Sequence, residues 1–380
     1  MTRKVIIVGG GMAGISLGAV LSAETGVVVL ERESAPGYHA TGRSAAVYAP
    51  AYGNRVIRAL TAASREFLET PPDGFTASPL LEPRPVMFFG RQDQQKTLAG
   101  LMSETAGQPG LHSVTAAEVL AQIPCFRPDY LHSAVEDVTT SGIDVDALLQ
   151  GYARQLRNNG GEIITDFDVD TLARQQDVWT ITSKDGRSFD ADILVDAAGA
   201  WADQLAVTAG VTPVDLTPLR RTAITIDPPA DADVSGWAIA IDADEELYFK
   251  PEAGRILVSP ADETPSEPCD AQPEELDIAI CVDRLETATS LTVRRITHKW
   301  AGLRTFSPDR TPVVGYDPAA NGFFWLAGQG GYGIQTAPAM AELAASLVLN
   351  RGVPERLAGY GVREEDLSPH RFTTVSEPGS

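Results

Sequence analysis

The chain has little of what would tie it to a metal, a bilayer or a nucleic acid. Three cysteines, Cys125, Cys269 and Cys281, are scattered over 380 residues without a CxxC pair. That count and spacing exclude a disulfide framework and a cysteine zinc site, and they suit reduced thiols in a cytoplasmic protein. No metal is expected. No apolar run approaches the roughly 18 residues a bilayer-spanning helix needs, so no transmembrane segment is expected. Only Thr2, Arg3 and Lys4 precede the first apolar run. That run leads into glycines rather than a cleavage site, which argues against a signal peptide. Basic side chains are scarce, with 30 Lys and Arg against 51 Asp and Glu and a net charge of -21. Such a surface repels nucleic acid and anionic lipid. It also repels an anionic small molecule at long range, so any site for one must be locally basic. Histidine occurs five times, which leaves few candidates for a general base.

What is present is material for a large core. The hydrophobic fraction is 43%, and the 21% of charged residues form no low-complexity block. A chain of this length suits one large domain or two closely packed ones. The first thirty residues carry the clearest pattern. Val5 to Val8 is a β-branched run fit for a buried parallel strand. Gly9-Gly10-Gly11-Met12-Ala13-Gly14 follows, then a helical stretch from Ile15 to Glu24, then a second apolar run, Val27 to Leu30, closed by Glu31. This is a complete βαβ unit. In its GxGxxG pattern Gly9 allows the tight turn, Gly11 lets the backbone approach a pyrophosphate, and Gly14 lets helix and strand pack closely. The pyrophosphate then lies on a helix N-terminus, and the Glu31 carboxylate is placed to accept hydrogen bonds from a ribose diol.

Further along, Asp146 to Asn158 reads as an amphipathic helix, Glu162 to Thr165 as a strand, and Ile193 to Val195 as a buried strand running into Ala197-Ala198-Gly199-Ala200. Gly322 to Ala327 reads as a strand, Gly328 to Gly333 as a glycine-rich turn, and Pro338 to Leu349 as a helix. Residues 85–140 and 215–300 differ, with more proline, more acid and strand-like alternation such as Ala223-Ile224-Thr225-Ile226. The expected fold is mixed α/β (α+β). A Rossmann-like nucleotide domain spans 1–84, 141–214 and 301–370, a mostly antiparallel substrate domain spans 85–140 and 215–300, and a tail spans 371–380.

Gly37-Tyr38-His39-Ala40-Thr41-Gly42-Arg43-Ser44-Ala45-Ala46 resembles the segment after the ribose acid in the D-amino-acid oxidase superfamily. Trp300 to Phe306, Gly330 to Thr336 and Leu247 to Pro251 resemble it too, nearest to its bacterial D-arginine dehydrogenase branch. The likeness runs in order over nearly the whole chain. It implies FAD, held by Gly9, Gly11, Met12, Ala13, Gly14, Glu31, Arg32, Arg43, Ser44, Ala45, Ala198, Gly199, Gly330, Gly331, Tyr332, Gly333, Ile334 and Gln335. It also implies a non-covalent flavin, since no cysteine follows Cys281 and His39 matches a histidine that carries no link.

The same resemblance assigns the substrate α-carboxylate to Arg221, Arg304 and Tyr248, pocket closure to a loop bearing Tyr52, and the amine to the Gly331 carbonyl, with Gln335 close by. A guanidinium fork matches a carboxylate in two bonds, and two forks would offset the repulsive field of the protein. Where the D-arginine branch has an acid, a histidine and a threonine, this chain has Val86, Val47 and Ala49. Burying a substrate guanidinium against those residues would cost several kcal/mol, on the order of 3–5 for an unpaired buried charge. The expectation is oxidative deamination of neutral or hydrophobic D-amino acids by hydride transfer to flavin N5, with a quinone or oxygen as acceptor. Two alternatives are an N-substituted amine oxidase of the sarcosine or glycine oxidase kind and a non-catalytic flavin-binding protein. The carboxylate clamp speaks against the second of these.

Overall fold

A computed structural model describes residues 3–230 and 232–372. The tail expected at 371–380 lies outside the described residues from 373 onward. Arg371 and Phe372 still belong to a short helix, Pro369–Phe372, with Arg371 Nε on Asp309 at 2.7 Å.

The N-terminal run forms β1, Lys4–Val8, followed by α1, Met12–Leu21, and β2, Gly26–Leu30. β1 is the centre of a six-stranded sheet. It pairs in parallel with β2 on one side and with strand Ile193–Asp196 on the other. Strands Glu162–Ile164 and Phe323–Ala327 extend the parallel set outward, and Val313–Tyr316 closes one edge antiparallel. Both faces are covered, as near-continuous Val and Ile runs require. Helices α1, Val145–Asn158 and Ala337–Val348 pack on one face around Ile7, Val29, Leu148 and Leu343. A three-stranded antiparallel layer, Val169–Gln175, Val178–Ser183 and Ser188–Ala191, packs on the other through Trp179 and Ile181. The Val145–Asn158 helix begins where Asp144 accepts the Ala147 N–H at 2.8 Å, a side-chain N-cap.

The two compositional inserts fold together as one nine-stranded sheet, antiparallel except where Ile239–Asp242 runs beside Val86–Gly90. Helix Glu275–Ala288 covers its outer face through Ile278, Cys281 and Leu285. The inner face looks toward the nucleotide domain. The longest pairing joins Thr217–Ile226 to Ile296–Phe306, from Thr217 opposite Phe306 to Ile226 opposite Ile296. The boundary expected at 300/301 therefore falls inside a strand. That strand ends in the other domain, where Gly330 N–H donates to the Thr305 carbonyl at 2.9 Å.

Candidate cofactor and substrate site

A cavity of about 490 Å³ runs between the two domains, from Phe167 and Lys184 at one end to Arg221, Tyr248 and Arg304 at the other. The glycine turn forms its floor. Gly9 sits at φ 115, where a side chain is strained, and a Cβ there would strike the Ala197 carbonyl. A Cβ on Gly14 would be driven into the Gly9 carbonyl, so the third glycine is fixed by close packing. A Cβ on Gly11 would meet only Thr41 Oγ1, at 3.4 Å, and would otherwise project into the cavity. The room left by Gly11 is what a pyrophosphate on the α1 N-terminus requires. Glu31 ends β2 at the cavity wall and is 9% exposed. Its carboxylate accepts Gly10 N–H and Glu33 N–H, each at 2.8 Å, which holds the acid at the rim. The turn, the open glycine and the oriented acid fit the adenosine diphosphate portion of FAD.

Met12, Ala13, Arg32, Ser44, Ala45, Ala198, Gly199, Gly330, Gly331, Gly333 and Ile334 line the same cavity. Arg32 lies over the Trp201 ring at 4.3 Å, and Trp201 also packs against His39. His39 Nε2 is 2.8 Å from Glu33. Arg43 lines the cavity, but its guanidinium is spent elsewhere. It donates to the carbonyls of Ala271 and Ala301, each at 2.9 Å, and pairs with Asp270. Its head is a clip between the domains rather than a contact kept for the cofactor. Tyr332 and Gln335 are not among the lining residues. Gln335 Oε1 instead accepts Ala49 N–H at 3.0 Å, tying the loop before Tyr52 to the late glycine turn. Cys269 is exposed and lines the cavity, whereas Cys125 and Cys281 are buried and far from it in the fold. Burial pushes the Cys125 thiol up to about 12 and also raises Cys281, so both stay protonated.

At the other end the sheet supplies the charges. Arg221 stands opposite Gly302 and Arg304 opposite Leu219, on adjacent paired strands. The Arg304 side chain makes no hydrogen bond or ion pair among the described residues, and its head lies on Gly331, where an added Cβ would meet Cζ at 3.0 Å. Burial opposes its charge, but the neighbouring Tyr248, Tyr52, Tyr332 and Glu245 favour it and hold its pKa above the usual arginine value. Arg221 is 8% exposed. Burial, and then the Arg304 charge, hold its pKa below the usual arginine value. Tyr248 lines the cavity beside them. Tyr52, like Tyr332, is not among the lining residues; its hydroxyl donates to Glu245 at 3.0 Å and its ring lies 5.2 Å from Tyr332.

Val86, Val47 and Ala49 are not brought to the cavity wall. Val86 shares the inner face of the sheet with Tyr248, since Ile241 pairs with both Phe88 and Tyr248. It is 0% exposed, however, and packs with Phe88, Val135 and Ile239, with Val47 against the same cluster. The structure adds Glu245, bonded to Tyr52, and Glu263 and Arg310, paired with each other, with Glu263 reaching Arg221. No local signal marks these among 51 acids and 30 bases. They meet only because distant strands and turns converge there.

The family model described as FAD dependent oxidoreductase (DAO) matches residues 4–347. The chain is 25% identical over 364 residues to glycine oxidase of Pseudomonas putida, covering 92% of this chain and 95% of that one. It is 25% identical over 245 residues to the bifunctional protein ThiO/ThiG of Synechocystis, covering 62% of this chain and 34% of the other. The chain thus spans about a third of that relative's length. The crystal structure of glycine oxidase from Geobacillus kaustophilus superposes with a TM-score of 0.80 at 20% identity, covering 94% and 98% of the two chains. No helix among the described residues is long and apolar enough to cross a membrane, and no group of three or more potential metal ligands occurs among them.

Proposed function

This chain belongs to the DAO family of FAD-dependent oxidoreductases, and from that premise we propose that it oxidises a small amine-bearing carboxylate, in first place a neutral or hydrophobic D-amino acid. The observation that carries the reading is Arg304, an unpartnered guanidinium facing the cavity beside Arg221 and Tyr248. A buried cation without a partner is costly, and a substrate carboxylate supplies the partner in two charge-assisted bonds. Bound FAD supplies the two-electron acceptor, by hydride transfer from the substrate Cα–H to flavin N5.

The protein's own part is binding, orientation and exclusion of water. Arg304 and Arg221 fix the carboxylate, and the Tyr248 hydroxyl is placed to donate to it. The amine is assigned to the carbonyl of Gly331, the residue the Arg304 head packs against. Tyr52, whose ring packs at a tilt against Tyr332, is assigned closure of the pocket by the family resemblance. The amine loses its proton readily, so no strong enzymic base is needed. The resulting imine is hydrolysed by water to a 2-oxo acid and ammonia. FAD is held without a covalent bond in this reading: His39 is paired with Glu33, and no cysteine follows Cys281.

The nearness to D-arginine dehydrogenases rests on the segments quoted above, and the preference for neutral side chains on the absence there of the acid of the D-arginine branch, not on Val86, Val47 or Ala49 at the cavity wall. A second reading, an N-substituted amino acid or glycine oxidase activity, is supported by the near full-length similarity to glycine oxidase. Anaerobic titration of the yellow holoenzyme with a panel of D-amino acids, L-amino acids, glycine and N-methylglycine separates them. Bleaching by D-leucine ahead of glycine and N-methylglycine supports the first reading. The reverse order supports the second, and no bleaching by any amine overturns both.

A further inference from the structure

The two arginines of the clamp are unequally engaged. Arg304 has no partner among the described residues. Arg221 already has one, because its Nη2 donates to Glu263 Oε1 at 3.2 Å. The same carboxylate takes two more bonds from Arg310, Nη2 to Oε1 at 2.8 Å and Nη1 to Oε2 at 3.1 Å. Glu263 is therefore shared, with Arg310 holding the larger share. The Nε of Arg221 is buried with no partner. Such a guanidinium gains by exchanging one long bond for a full carboxylate fork. Arg310 is itself held in place, over the Phe306 ring at 3.9 Å on a turn with φ 59. Burial works to raise the Glu263 pKa. The Arg310 bonds, then the Arg310, Arg221 and Arg304 charges, outweigh it and keep the group ionised.

We propose that Glu263 is a resident carboxylate: it occupies the Arg221 side of the clamp while the site is empty, and it stays on Arg310 when a substrate carboxylate takes its place. The proposal rests on the reading that Arg221 and Arg304 receive the substrate carboxylate. Two guanidinium groups on neighbouring strands, Arg221 buried and Arg304 half-buried, repel each other, and Glu263 relieves that repulsion in the free protein. Substrate entry is then an exchange of anions. One Arg221–Glu263 bond is lost, a fork to the substrate forms, and the two Arg310 bonds keep Glu263 satisfied outside the pocket. Arg310 acts only through Glu263 and is a positioning residue. Together the pair sets how tightly a carboxylate is held.

The test is calorimetric titration of FAD-loaded protein with 4-methylpentanoate, the carboxylate of leucine without its amine, at fixed low salt. Glu263→Gln is expected to bind it about tenfold more tightly. Arg310→Gln leaves Glu263 on Arg221 and is expected to weaken binding by about tenfold. The double variant is expected to match Glu263→Gln, because Arg310 has nothing left to act on. A plain field effect would instead give additive changes of opposite sign, with the double variant returning to wild type. That result overturns the proposal, as does a Glu263→Gln that binds no more tightly. Arg304→Met tests the reading beneath it. If this variant keeps full affinity, the carboxylate is not held in this pocket and the clamp itself is misassigned. If it loses affinity while Glu263→Gln and Arg310→Gln titrate like wild type, the clamp stands and the exchange falls.

Discussion

The two ends of the cavity are built by opposite means. At the dinucleotide end, a single stretch from Gly9 to Glu31 makes the site, and it does so largely with side chains left out. Gly9 and Gly14 have no room for a Cβ, and Gly11 leaves its room to the ligand. At the substrate end, side chains from strands Thr217–Ile226, Tyr248–Glu252 and Ile296–Phe306 and from several turns converge, and charge does the selecting. The first kind of site is a backbone shape that one substitution destroys. The second is a balance of charges that one substitution shifts.

Four variants probe that contrast, in falling order of expected effect. Gly14→Ala should give little folded, yellow protein, since its Cβ and the Gly9 carbonyl cannot share one place. Gly11→Val should stay folded and lose FAD, as read by circular dichroism and bound-flavin absorbance. If both behave alike, the division between packing glycine and cradle glycine is wrong. Val86→Glu should come next. A carboxylate buried among Phe88, Val135 and Ile239 costs about 3–5 kcal/mol, seen as a lower denaturation midpoint. A stable variant that turns over D-arginine would instead put Val86 on the cavity wall. Arg304→Met should raise KM by roughly 10²- to 10³-fold with flavin retained, a loss of about 2–4 kcal/mol of charge-assisted bonding. Unchanged kinetics would reduce Arg304 to a structural role.

The smallest effect concerns Asp196, which is 0% exposed, with Oδ1 accepting Ala198 N–H at 3.1 Å and Oδ2 unpartnered. Burial raises its pKa well above the ordinary aspartate value, which favours the neutral acid in the fold. The unfolded chain releases that proton near the usual carboxylate pKa. Stability is therefore lost as pH rises from that value toward the folded one. Asp196→Asn carries no such loss. Its melting temperature should gain on wild type as pH rises above the ordinary carboxylate value, and parallel curves would show that Asp196 titrates alike folded and unfolded.

The same contrast governs what could be read from the sequence. The βαβ unit was legible because strand, turn, helix and acid are adjacent and each glycine has a local steric reason. Helix Val145–Asn158 and strand Ile193–Asp196 followed from periodicity and β-branched runs, within a residue or two of their ends. That Arg221 and Arg304 meet at one cavity was suggested only by resemblance, since nothing local distinguishes Arg304 from other arginines. Arg43 lines the cavity, yet the carbonyls its guanidinium reaches lie more than 220 positions away. Val86 was misread for a related reason. Strand alternation gave its face, but the neighbours that cover it come from strands Ser133–Asp137 and Ile239–Asp242, whose register no local pattern fixes. Glu263 and Arg310 gave no sign at all, being ordinary surface residue types until folding sets them 2.8 Å apart.

Strand Ile296–Phe306 bears on how this protein can change over generations. It carries Arg304 at the clamp, pairs along Thr217–Ile226, and at its end receives the Gly330 N–H of the cofactor turn. Side chains alternate faces with a period of two, so one inserted or deleted residue would present Leu303 or Thr305 where Arg304 stands. Point substitutions beside the clamp can retune the substrate one position at a time. Length changes in this strand cannot be absorbed, because both of its ends are already fastened. Drift in loop length is expected to collect elsewhere, in the surface turns of the inserted domain.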